Sequence, residues 1–174
     1  FPLTLPALNG ASAVDTLTIR PAIDATALAI SSANTTAATV DLNGARFVTI
    51  DGRPGGVGSN TGSGVGTASQ LAIANTSTSG VAVRFINEAS GNILRYVTLR
   101  GVNTSAASGT VVFGTTTGVN GNDNNLIDHC DIRDGGTRPA NGLYALGSTG
   151  TAAQSNSGNT VANCNVFNCY ASVD

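Results

Sequence analysis

The densest run of chemistry-bearing side chains is 127–136, IDHCDIRDGG, where Asp128, His129, Asp131, Arg133 and Asp134 fall within seven residues. Carboxylates this close can share acid/base work or ligate a hard cation such as calcium, with an imidazole as general base and a guanidinium as clamp. The plainer reading makes His129 a solvated bend residue. Cys130, Cys164 and Cys169 are too few for a disulfide framework, and only His129 lies near them, so a zinc site is not expected. The Gly-rich stretch 53–70, RPGGVGSNTGSGVGTASQ, is not a phosphate-binding loop, because the chain has no Lys to complete that motif.

These residues need elements to hold them, and composition narrows which. The 174 residues carry a net charge of −2, and every one of the eight cations is Arg. No basic footprint exists for a nucleic-acid partner, and no apolar run is long enough for a membrane span. The hydrophobic content of 41% is enough for a packed core, and the length fits one domain, 1–174. No stretch keeps the apolar spacing of an amphipathic helix. Short runs such as TLTIR (16–20), FVTID (47–51), LAIAN (71–75) and VAVRF (81–85) instead alternate apolar with small polar residues, the pattern of half-buried strands.

The strands repeat. NILRYVTLRG from Asn92, NLIDHCDIRD from Asn125 and NTVANCNVFN from Asn159 superimpose without gaps, at offsets of 33 and 34. A further copy appears when TID is joined to LAIAN, with 53–70 treated as an insertion. SGVAV at Ser79, SGTVV at Ser108 and NGLYA at Asn141 suggest a second register, spaced 29 and 33. A period of about 30 holding two or three strands and no helix predicts a parallel β-solenoid of about five coils. Leucine-rich and ankyrin repeats lack support, since their consensus residues or helices are missing.

Stacked coils pile like residues into columns. Leu71/Val97/Cys130/Cys164 and Ile73/Leu99/Ile132/Val166 are expected to face inward, with the two cysteines acting as small hydrophobes. Asn92/Asn125/Asn159 should form an asparagine ladder at the turn entering a strand. Outward columns are Ala72/Thr98/Asp131/Asn165 and Ala74/Arg100/Arg133/Phe167, and the bend carries Asp51/Arg95/Asp128/Ala162 and Gly52/Tyr96/His129/Asn163. Asp131 would then sit between two arginines and form exposed ion pairs. Tyr96 would either offer a face to a sugar ring or cover a corner of the core. The 53–70 insertion is expected to be mobile or wrapped over a neighbouring surface.

With FPLTLPALNGASAVDTLTIRPA, FVTIDG, LAIANTSTSG and NNLIDHCDI in view, the chain resembles right-handed parallel β-helix repeat proteins of the pectate-lyase-like superfamily. More narrowly it is similar to large secreted bacterial surface proteins exported by the type 9 system. That resemblance implies an extracellular or cell-surface location and a structural or adhesive module, presenting surfaces to glycans or partner proteins. The outward columns put Tyr96 beside His129 with Arg100, Asp131 and Arg133, a strip of aromatic and planar polar groups suited to a sugar. The alternative is a polysaccharide lyase or glycoside hydrolase, with Asp128 and Asp131 as acids or calcium ligands and Arg100 or Arg133 as base or clamp. No cofactor or metal is expected except calcium under that alternative. The first residue is Phe1, and the repeat runs on to Asp174 without closing. The chain is therefore expected to be a segment of a longer one, its ends meeting further coils or another copy.

Overall fold

The computed structural model describes residues 2–147 and 150–173. Sixteen strands alternate through three parallel sheets. The first sheet holds β1 (Leu3–Pro6), β4 (Val40–Asn43), β7 (Val83–Ile86), β10 (Val111–Phe113), β13 (Asn141–Ala145) and β16 (Ala171–Val173). The second holds β2 (Leu17–Ile19), β5 (Val48–Asp51), β8 (Ile93–Arg95), β11 (Leu126–Asp128) and β14 (Thr160–Ala162). The third holds β3 (Leu28–Ser32), β6 (Leu71–Asn75), β9 (Thr98–Gly101), β12 (Asp131–Asp134) and β15 (Asn165–Val166). Each circuit visits the sheets in that order. The fold is a right-handed parallel β-helix of five coils, with β16 opening a sixth strand position in the first sheet.

Alternation along each strand decides which side chains fill the interior. Ile30, Ile73, Leu99, Ile132 and Val166 pair in register up the third sheet, and Ile73, Leu99 and Ile132 are fully buried. Each such side chain contributes about 1.5–3 kcal/mol by leaving water. Val97 and Cys130 are also fully buried, while Cys164, one coil on, is partly so; all three cysteines are free thiols. Burial pushes the Cys130 thiol up, whereas a hydrogen bond with Cys130 holds Cys164 down.

In the first sheet the pairing differs from the sequence register. Val83 pairs with Val111 and Val111 with Leu143, so the steps are 28 and 32 residues rather than 29 and 33. The Ser-Gly and Asn-Gly pairs do not mark equal positions: Ser79 and Ser108 lie in the turns before their strands, while Asn141 already belongs to β13. In-register burial of apolar side chains sets the pairing, and the turns absorb the length difference.

The corner from the first to the second sheet is turned by a column of left-handed residues: Phe47, Gly91, Asn124 and Gly158 all have φ between 55° and 65°. Beside it runs the expected ladder. Asn92 donates from N and Nδ2 to Asn125 Oδ1, and Asn125 does the same to Asn159 Oδ1, at 2.9–3.0 Å. Each Nδ2 also reaches a backbone carbonyl of the preceding coil: Asn92 to Ala45, Asn125 to Ala89, Asn159 to Asn122. A second ladder, Asn122 onto Asn156, lies three residues earlier and caps Ala89 N.

Both ends of the stack leave core positions partly open. Leu17 and Leu28 of the first coil are 38% and 43% exposed, and Val161 of the fifth is 45% exposed.

Candidate functional site

The second-to-third sheet bend gathers the charged and aromatic residues. β5, β8, β11 and β14 align Asp51, Arg95, Asp128 and Ala162 in one outward column. Asp51 is fully buried. Its Oδ1 accepts from Arg53 N and Nε, and its Oδ2 accepts from Arg53 Nη2 at 2.7 Å and Arg95 Nε at 3.0 Å. Burial alone would raise the Asp51 pKa, but these bonds and the two guanidinium charges hold it below the usual carboxylate range. Asp51 is thus a saturated anchor rather than a proton donor.

The next column carries Tyr96, His129 and Asn163, with φ of 52°, 49° and 51°. Tyr96 stacks on His129 with ring centroids 4.8 Å apart, and the Arg53 guanidinium lies 4.4 Å above the other side of the stack. Tyr96 is only 6% exposed. Of the two roles expected for it, the geometry matches cover for a corner; no open ring face remains for a sugar. His129 Nδ1 lies 2.9 Å from Asp128 Oδ1, close but without the alignment of a directed hydrogen bond. Burial opposes ionisation of Asp128, yet the Asn163 amide, His129 and Arg95 together hold its pKa low. A carboxyl so held is an anion at neutral pH and does not serve as a general acid there.

On the third sheet, Asp131 is flanked in its column by Thr98 and Asn165, and Arg133 pairs with Arg100 and Gly101 follows. Asp131 accepts from Asn165 Nδ2 at 3.1 Å, rather than pairing with the two arginines as expected. Those arginines lie two residues further along the strand, on the same face, in the neighbouring column. Arg133 contacts Asp134 at 3.3 Å and lies 4.9 Å over the Phe167 ring. Arg100 is exposed and, among the described residues, makes no ion pair. It borders an open hollow of about 340 Å³ with Thr98, Ala72 and Gln70. Asp128 and Asp131 therefore stand in different local networks, and among the described residues no three His, Cys, Asp or Glu side chains gather as a metal site.

The 53–70 insertion leaves between β5 and β6, as the repeat required, and closes at its base through Gln70 N to Gly52 O at 2.8 Å. It wraps over the surface rather than standing free. Gly64 N bonds Asn163 O at 2.7 Å, and Asn165 Nδ2 reaches Ser63 O. Asn60 Nδ2 ties the tip by bonding Ser63 O and Gly64 O. The insertion therefore roofs part of the bend at which His129, Asp131 and Asn163 meet. The sequence puts Asp51 in the bend column but does not pair it with Arg53, although Asp51-Gly52-Arg53 at the root of the large insertion is a readable signal.

Asn75 and Asn103, in two of three Asn-x-Ser/Thr sequences, are each 1% exposed and spend Nδ2 on backbone carbonyls. They are structural amides in the folded chain. No family model, curated protein or solved structure matches the chain.

Proposed function

We propose that this chain is a structural and adhesive β-helix module of a secreted or cell-surface protein, a rigid stalk that presents contact surfaces to glycans or partner proteins. The observation that carries the reading is the ladder itself. Apolar columns and asparagine ladders run from coil to coil, and three ion pairs bridge the second coil to the third: Arg46–Glu88, Arg84–Asp41 and Arg95–Asp51. Such stacks are stiff along their axis because each coil is fixed by its neighbours. The resemblance to β-helix surface proteins supports the location. Arg100, Arg133 and Phe167 are the outward groups best disposed to meet a ligand, since Tyr96 is enclosed.

The lyase or hydrolase reading draws less support, because Asp128 is held as an anion and so cannot serve as the acid, Asp131 is bonded to Asn165, and among the described residues no three carboxylates gather to hold calcium. The test is a glycan array probed with the chain, alongside release of reducing ends from plant, algal and bacterial polysaccharides with and without calcium. Array binding that falls at least fivefold in Arg100→Ala/Arg133→Ala, with no release, supports the module. Release abolished by Asp131→Asn overturns it in favour of an enzyme.

A further inference from the structure

A stacked solenoid is held by contacts between adjacent coils, so its terminal coils are free to open without the rest. The 53–70 insertion breaks that rule. Its root lies in the second coil, where Arg53 is locked on Asp51. Gly55 N bonds Pro21 O in the first coil, and Arg53 covers Tyr96 in the third. The tip reaches Asp131 in the fourth and bonds Asn163 and Asn165 in the fifth. The bonds Gly64 N to Asn163 O and Asn165 Nδ2 to Ser63 O thereby join the second coil directly to the fifth, across the two coils between them.

The landing point is shaped for this one residue. Gly64 is buried with φ of 76°, and a Cβ there would fall inside van der Waals contact with Asp131 Oδ1 and Asn165 Nδ2. Only glycine adopts this backbone cheaply while lying flat on those two side chains. Val65, next to it, is 8% exposed and turns back through Ala68 N to Val65 O. The strap is thus seated by a fitted contact rather than lying loosely on the sheet.

We propose that the 53–70 strap is a clamp that couples the second coil to the fourth and fifth, so that the open C-terminal coils cannot peel from the stack independently. It acts against the weakness that a five-coil solenoid has by construction. The fifth coil, whose Val161 is 45% exposed, has the most to gain.

The test is hydrogen–deuterium exchange read by peptide mass spectrometry on the whole chain. Three forms are compared: the parent, Gly64→Ala, and a variant with 55–68 replaced by two glycines. The expected result is at least tenfold faster exchange in peptides covering β12, β14 and β15 in both variants, with β4 and β7 unchanged. The deletion variant keeps the test decisive if Gly64→Ala folds poorly. Unchanged exchange in β12, β14 and β15 overturns the clamp. So does an equal increase in every coil, or loss of the fold in the deletion variant, because either means that the strap supports the stack as a whole.

Discussion

Two of the three corners that join the sheets are turned by the same left-handed backbone but built on opposite plans. From the first sheet to the second, Phe47, Gly91, Asn124 and Gly158 make the turn while Asn92, Asn125 and Asn159 stack amide on amide beside it. From the second sheet to the third, Tyr96, His129 and Asn163 make it, and no two of those residues are alike. The repetitive corner satisfies its polar groups by copying one bond pattern on every rung. The varied corner satisfies them by local arrangements, a saturated Asp51, a sandwiched Tyr96 and a strap brought in from another coil. Repetition marks the part that holds the stack in register, and its interruption marks where the chain spends residues on something else.

That contrast breaks if the amide ladder proves dispensable. Asn125→Ala removes an acceptor used twice by Asn92 and strands the donors that served it, deep in the corner. Leaving buried polar groups unpaired costs about 1–3 kcal/mol each, so a loss of about 3 kcal/mol or more is expected in urea unfolding. A loss below 1 kcal/mol would place the register elsewhere.

At the varied corner, Asp51→Asn is expected to cost about 2 kcal/mol, since Arg53 and Arg95 lose a charged acceptor but both can reach water. The same variant tests the acid response. The folded pKa of Asp51 lies below the ordinary value of about 3.9, as does that of Asp128. Their stabilisation is therefore present above that ordinary value and drains away as pH falls through the lowered folded values. The parent's urea midpoint should drop through this acid window, and that of Asp51→Asn should drop less. Equal slopes would mean that Asp51 is no better stabilised folded than unfolded.

The smallest effect sharpens the comparison most. Asparagine tolerates the left-handed conformation and already occupies position 163 of this column. His129→Asn should therefore change stability by no more than about 0.5 kcal/mol, despite loss of the ring stacked on Tyr96. A cost above 1.5 kcal/mol, measured by the same unfolding, would make the Tyr96–His129 stack a structural rung equal to the asparagines.

Much of this was legible in the chain. The Asn-x-apolar-x-x-apolar period located the second and third sheets, the inward columns and the ladder at Asn92, Asn125 and Asn159, because stacking forces like residues onto like positions. The second ladder, Asn122 on Asn156, has one asparagine fewer, with Ala89 in the equivalent place on the third coil, yet the Asn-x-x-Asn spacing of 122/125 and 156/159 marks it. The first sheet was found but misregistered, since Ser79, Ser108 and Asn141 do not hold equivalent places in their turns. The candidate residues were placed in the right columns, but Asp131 takes Asn165 rather than arginine as its partner.

What the sequence alone determined is the coil: its period, its buried columns, its ladder and the position of its insertion. These follow from local alternation and from a repeat, both of which are written along the chain. What only the tertiary structure decided is what touches across coils without repeating: Asp51 between Arg53 and Arg95, Tyr96 closed between Arg53 and His129, and Gly64 seated on Asp131 and Asn165. Each such contact occurs once and joins residues far apart in sequence. No period announces it, and only the path of the folded backbone brings its partners within a few ångströms.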